Sequence, residues 1–391
     1  MNTLDEARTL ESQLVAWRRD FHRHPEIGLQ EQRTARIVAA TLCELGYAVQ
    51  EGIAHTGVVG LLENGNGPVI MVRADMDALP IQEENDVPYA SEIPGMMHAC
   101  GHDANTAIGL GLATLMARNR ETWRGTLKMV FQPGEEGQNG AQLMIEAGVL
   151  ENPRPERVLA LHVWSDLPCG VAGATPGPVM AAAEAWEATI TGKGGHAAHP
   201  EDTVDPIVVA ATIITALQTI VSRNVGAQET AVITVGMIHS GDAFNVIPDE
   251  ARLAGTVRSY DPRVREILLR RLREVLEGTA RVMGATAVLK MYPVTPALVN
   301  DAATTGVVQD AIRETLGAEA LHVGLRSMGG EDAAFFLNEV PGCYFFIGST
   351  PPGQEKVPHH NPRFDIDEQA LPIGVAIMAE TLRRLMPPGE S

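Results

Sequence analysis

From residue 57 to residue 164, short apolar runs with strand character alternate with runs of helical periodicity, and that alternation leaves few folds open. "GVVGLL", "PVIMVRADMD", "GTLKMVFQ" and "RVLALHVW" read as strands, separated by a helix after Asp103 and another through "AQLMIEAGVL". Strands alternating with helices predict an α/β sheet. Ahead of them lies a helical layer, in which Leu10, Leu14, Trp17 and Phe21, then Ile37, Val38, Leu42 and Leu45, recur at helical spacing before Gly46.

After "GVAGATPGPVMAA" the texture changes. "EAWEATITGK" alternates like a half-exposed strand, residues 205 to 222 read as a long apolar helix, "AVITVGMIHSG" and "ARLAGTVRSY" as strands, and 262 to 283 as an amphipathic helix. This is a strand and helix set of ferredoxin-like size. Since α/β elements resume after "YPVTPALVN", the simplest map is an α/β domain over 1–183 and 296–391 with an α+β domain, 184–295, inserted in it. At 391 residues and 45% hydrophobic content the chain is long enough for two cores.

Thirty basic against 49 acidic residues give a formal charge of −19, which argues against nucleic acid and anionic membranes as partners. The N-terminal stretch carries acids from Asp5 onward and lacks the apolar core of a secretory signal, and no window reads as a membrane span, so the expected location is the cytoplasm. Cys43, Cys100, Cys169 and Cys343 show no paired spacing, which in a reducing compartment suggests buried thiols or a ligand.

Only Cys100 has chemically interesting neighbours, in "MMHACGHDANTAIGLG". Cys100 and His102, two apart, suit an extended segment from which both reach one ion, just before a helix beginning near Asp103. Alone, the pair is a weak motif, and a buried thiol beside a hydrogen-bonded His is the more frequent outcome of such a spacing. In "KMVFQPGEEGQNGAQ" a strand ends at Pro133 and Gly134, and Glu135 and Glu136 occupy the exit turn, where open α/β sheets place ligands. Adjacent residues there are expected to point apart, one carboxylate toward a metal and its neighbour toward the substrate as general base; a solvated acidic turn is the plain alternative. His162, the loop pair His359 and His360, and Asp75 and Asp77 occupy the same kind of strand-end position.

In the inserted segment His196 follows three glycines in 192–195 and could stabilise an oxyanion. Asn245 and Arg258 follow in "GDAFNVIPD" and "GTVRS", and Arg258 could fork a carboxylate.

At these residues the chain resembles the M20 metallopeptidase family, within it the amidohydrolase group of hippurate hydrolases and indole-acetyl amino-acid hydrolases. The resemblance runs through "RRDFHRHPE", "RADMDALPI", "MHACGHDANT", "FQPGEEG", "LHVW", "GKGGHAAHP", "NVIPD", "MGGEDAAFF" and "HHNPRFDID". It implies a zinc-peptidase-like catalytic domain interrupted by a dimerisation lid. It also implies a centre of two divalent ions (zinc, manganese, cobalt or nickel) held by Cys100, His102, Glu136, His162 and His360, with Glu135 as general base. His196 would reach the active site of the partner subunit in a homodimer, and Asn245 and Arg258 would hold the substrate carboxylate. Asn105 departs from the group, which often carries a second His there, and altered support around the metal or altered substrate contact is expected.

The implied reaction is hydrolysis of the amide bond of an N-acyl amino acid, a small-molecule substrate. A carboxypeptidase or dipeptidase of the same family, a thiol hydrolase using Cys100, and a non-catalytic binding module are the competing readings. Metal dependence separates the thiol hydrolase from the metal enzymes, and amine release separates the binding module.

Overall fold

The computed structural model describes residues 2–388. The chain folds as two compact units: residues up to Val179, Val299–Arg326 and from Asp332 onward in the first, and Met180–Leu298 with Ser327–Glu331 in the second. The short piece Ser327–Glu331 has no counterpart in the domain map drawn from sequence texture.

The first unit is built on an eight-stranded mixed sheet. Its strands lie in the order Ala48–Ile53, Gly57–Asn64, Gly125–Gln132, Val69–Asp75, Arg157–Pro168, Gly342–Thr350, Ala172–Gly173 and Leu321–His322. The central strands, from Gly125–Gln132 to Gly342–Thr350, run parallel. Gly342–Thr350 is buried at every position and Val69–Asp75 at all but the first, which is why these strands read as near-continuous apolar runs. Helices Glu11–Arg23, His102–Arg118 and Ala370–Leu385 share a core of Leu14, Phe21, Ile108, Leu112, Val375 and Leu382. Asp75 lies opposite Gln132 and Arg73 opposite Ala160, so the carboxyl ends of adjacent strands open together, the ligand-binding end of such sheets.

The second unit has a four-stranded antiparallel sheet in the order Ala231–His239, Glu250–Ser259, Ala182–Thr191 and Thr286–Thr295. Helices Pro206–Asn224 and Pro262–Val282 pack against it around Trp186, Ile190, Ile213, Leu217, Leu268 and Leu276. Asp205 and Asp261 cap these helices and a proline follows each, the composition expected of a helix start. The strand order is the ferredoxin-like one.

One sequence expectation is corrected here: the Pro206–Asn224 helix does have the length and apolarity of a membrane span. Its Val209, Ile213, Leu217 and Ile220 are buried in the second unit's core, so sheet packing accounts for part of the apolar run. Ile207 and Val208 on the same helix are exposed.

Candidate metal centre

Gly101 sets up the site. Its φ of +92° turns the chain between Cys100 and His102, and a Cβ there would lie 2.5 Å from Val163 Cγ2, so both the conformation and the contact demand glycine. The helix starts at His102, one residue from the expected position. A left-handed kink, not an extended segment, brings the two side chains to one place.

His102 and His162 are each held through Nδ1. His102 Nδ1 lies 2.9 Å from the Asp77 carbonyl and 3.2 Å from Asp77 Oδ1, and its Nε2 is buried with no hydrogen-bond partner among the described residues. His162 Nδ1 lies 2.6 Å from the Val163 carbonyl, and its Nε2 is 3.6 Å from Cys100 Sγ. Anchoring one ring nitrogen fixes the ring and aims the other inward, the arrangement found around metal-ligating histidines.

The ligand atoms of Cys100, His102 and His162 lie within 4.8 Å of one another, and so do those of Cys100, Glu136 and His360. Cys100 belongs to both groups, the pattern of two adjoining cation positions. His360, at φ +64°, has its N–H on the Ala99 carbonyl and its Nε2 3.1 Å from Glu136 Oε1, and that contact pushes its pKa up. His359 takes a different role. It stacks between Trp164 and Phe364, accepts the Ser165 N–H at Nε2 and is pushed down to about 2, first by burial and then by His162.

The electrostatics favour a cation. Burial pushes the Cys100 thiol well up in pKa, although His102 opposes this. Burial works to lower His102, but Asp75 and Cys100 raise it well above the ordinary imidazole value. Asp77, Glu135 and Glu136 crowd around His102 as well. A divalent ion would balance these carboxylates, hold Cys100 as thiolate and occupy the spare His102 Nε2, so the donor set fits two such ions of borderline character.

Glu135 and Glu136 do not point apart as expected. Positive φ at Gly134 (+59°) and Gly137 (+86°) coils the turn, and carboxylate atoms of both residues come within 4.8 Å of the His102 ligand atom. The Glu136 N–H donates to Asp77 Oδ2 at 2.9 Å, and the Asp332 N–H points at Glu135 Oε1 from 3.4 Å.

Asn105 is buried and bridges two strands. Its Nδ2 donates to Asp75 Oδ1 at 2.8 Å, and its Oδ1 accepts the Val163 N–H at 3.1 Å. It therefore supports the walls of the site. Asp75 is held ionised by His102 and Arg73 in spite of its burial.

Sequence reasoning missed a buried cluster next to His102. Arg18 Nε donates to Asp103 Oδ2 at 2.9 Å and Nη2 to Asp365 Oδ1 at 2.7 Å, and His22 Nδ1 lies 2.7 Å from Asp103 Oδ2. The available signal was Arg18 and His22 four apart among the apolar positions of the Glu11–Arg23 helix.

In the second unit His196 and Asn245 share one exposed tip: His196 pairs with Val246, and the Asn245 carbonyl accepts the Ala197 N–H. Arg258, half-buried and pushed down in pKa by that burial, lies opposite Ala183. The tip follows Thr191, so eight residues of strand, about 27 Å at ~3.4 Å each, separate Arg258 from the His196 end. The structure joins His196 to Asn245 and leaves Arg258 apart.

Comparison with known proteins agrees with this architecture. A putative amidohydrolase of Bacillus subtilis, YhaA, is 41% identical over 370 residues, 94% of this chain and 93% of its own length. An N-acetylcysteine deacetylase of the same organism is 38% identical, over 95% of this chain and 97% of its own. The solved structure of B. subtilis YXEP, a dinuclear metal binding peptidase of the M20 family, superposes with a TM-score of 0.85 at 35% identity, covering 97% of this chain and 99% of that one. The sequence model of peptidase family M20/M25/M40 matches residues 71–384. Since that match begins on the strand ending in Asp75, runs into the last helix and takes in every candidate ligand, the chain belongs to the M20/M25/M40 peptidase family and is a hydrolase of amide bonds.

Proposed function

We propose that the protein hydrolyses the amide bond of N-acylated amino acids with Glu135 as general base. The observation that carries this reading is the convergence of Cys100, His102, Glu136, His162 and His360, with Glu135 at the edge of the same cluster. Two divalent ions held by those five residues would supply Lewis acidity and a water acidic enough to ionise near neutral pH. Glu135 takes a proton from the attacking water and delivers it to the leaving nitrogen. The water oxygen adds to the acyl carbon, the C–N bond breaks, and a carboxylic acid and an amine leave.

His196 donates to the oxyanion and Arg258 forks the substrate carboxylate. One sheet cannot present both to one substrate when about 27 Å of strand lies between them. A second copy of the chain therefore supplies His196, with Asn245 beside it. The edge strand Ala231–His239, with Val232, Met237 and Ile238 exposed and one ladder side open, is the surface proposed for that pairing. We place the reaction in the cytoplasm, where the Cys100 thiol stays reduced.

Cys100 is poorly suited to be a nucleophile. Burial raises its pKa, whereas reactive thiols are lowered into the thiolate range.

The test is amine release from a panel of N-acyl amino acids and dipeptides by metal-loaded and chelated enzyme, with Glu135→Gln alongside. Release that needs both metal and Glu135 is expected. Turnover by chelated enzyme, or near-full turnover by Glu135→Gln, would overturn the reading, and preference for dipeptides would move it to a peptidase.

A further inference from the structure

Glu31 is a fully buried carboxylate without a place in the chemistry above. It stands at the N-cap of the helix Gln32–Glu44 yet makes no capping bond with its side chain. Glu26 does that work: its Oε1 accepts the Arg33 N–H at 2.9 Å and its Oε2 the Thr34 N–H at 2.8 Å. Glu31 is thereby released to cross to another part of the chain.

Its Oε1 accepts two backbone donors, Leu29 N–H at 3.1 Å and Gly134 N–H at 2.9 Å, and its Oε2 accepts the Thr56 hydroxyl. Leu29 and Gly134 both have left-handed backbones, at φ +65° and +59°. The carboxylate thus pins together two left-handed turns, one of which presents Glu135 and Glu136. The Gly134 carbonyl is held from the other side by the Gly140 N–H at 3.0 Å. The packing is tight enough that a Cβ on Gly28 would lie 2.9 Å from Gly134 Cα and 2.4 Å from Gln138 Oε1.

We propose that Glu31 is a positioning residue for the catalytic turn: by holding the Gly134 N–H it fixes where the Glu135 base and the Glu136 ligand project. A carboxylate is the strongest common acceptor for a pair of backbone N–H groups, and misplacing a base or ligand by about 1 Å costs on the order of 10²-fold in rate. Burial pushes Glu31 up to about 7, with Asp77 adding to the rise and the Thr56 and Gly134 donors opposing it. Asp77 is the same carboxylate that takes the Glu136 N–H, while His55, on the turn that carries Thr56, is exposed. Retaining an acid in so unfavourable a place is what a positioning role explains.

This inference rests on the proposed function only for its kinetic arm. Glu31→Ala, Glu31→Gln and Gly28→Ala are each compared with wild type in full-length protein for Zn²⁺ affinity, by competition with a chromophoric chelator, and for kcat and KM. Glu31→Ala is expected to lose about 10- to 100-fold in Zn²⁺ affinity and in kcat with little change in KM. Glu31→Gln, which keeps an acceptor for Gly134, recovers both to within a few-fold. Gly28→Ala, with Glu31 intact, repeats the Glu31→Ala loss because it displaces the same turn.

A Glu31→Ala protein that melts lower but binds Zn²⁺ and turns over as wild type would reduce Glu31 to a structural group and overturn the proposal. Equal impairment of Glu31→Gln and Glu31→Ala would overturn it too. If Glu31→Ala does not fold, Gly28→Ala decides, and unchanged Zn²⁺ affinity there counts against it. Should wild type bind Zn²⁺ yet cleave nothing in the panel, the functional reading fails while the Zn²⁺ arm still decides on Glu31.

Discussion

Asp77 Oδ1 lies 3.2 Å from His102 Nδ1 while its Oδ2 accepts the Glu136 N–H at 2.9 Å, so one buried carboxylate orients two candidate ligands from opposite sides. Asp77→Asn keeps the shape but replaces one acceptor with a donor, and it can no longer serve both partners. Metal affinity is expected to fall by about 10- to 100-fold with the fold intact. Isothermal titration with Zn²⁺ checks this, and an unchanged dissociation constant would remove Asp77 from the support of the centre.

Glu31 also makes stability depend on pH. Its folded pKa, about 7, lies above the ordinary 4.5, so the folded state binds the proton more tightly than the unfolded chain between those values. Stability from this group is therefore greatest in acid and falls as pH rises from about 4.5 to about 7, by up to ~3 kcal/mol. Glu31→Gln mimics the protonated acid, since its amide can donate to the Thr56 hydroxyl and accept from Gly134. Relative to wild type it should gain stability between pH 5 and 8 in denaturant titrations. Parallel wild-type and variant curves across that range would contradict the raised pKa.

Arg258 is half-buried and pushed down in pKa by that burial, so a carboxylate partner would restore what its environment withholds. Arg258→Ala is expected to raise KM for N-acyl amino acids with a free carboxylate by about 10- to 100-fold, while their methyl esters are little affected. Steady-state kinetics on acid and ester pairs measures this directly, and equal effects on both would take Arg258 out of carboxylate recognition.

Local signals made much of this protein legible. The strand and helix rhythm is a matter of period, and the ligand candidates stand out because each follows a strand end or a glycine turn. The unread part lies in long-range pairings. Gly134 and Glu31 are 103 residues apart and Arg18 and Asp103 are 85 apart, and no local pattern couples them. Glu31 looks like an ordinary acid at a helix start, and only the capping by Glu26 shows that it is free for other work. The outward splay expected of Glu135 and Glu136 failed for a local reason, because positive φ at Gly134 and Gly137 coils the turn.

The separation of His196 from Arg258 leads to a complementation experiment. In the proposed homodimer, Glu135→Gln removes the proposed base from a subunit's own site, while His196→Ala removes a group that the proposal assigns to the other subunit's site. Each homodimer should be inactive. In a mixed dimer the His196→Ala subunit keeps Glu135 and receives His196 from its Glu135→Gln partner, so one of two sites is complete. Random mixing makes half of the dimers mixed, and activity should return to about a quarter of the wild-type level. If subunits exchange, as shown by tagged pull-down, and no activity returns, His196 acts within its own chain or not at all.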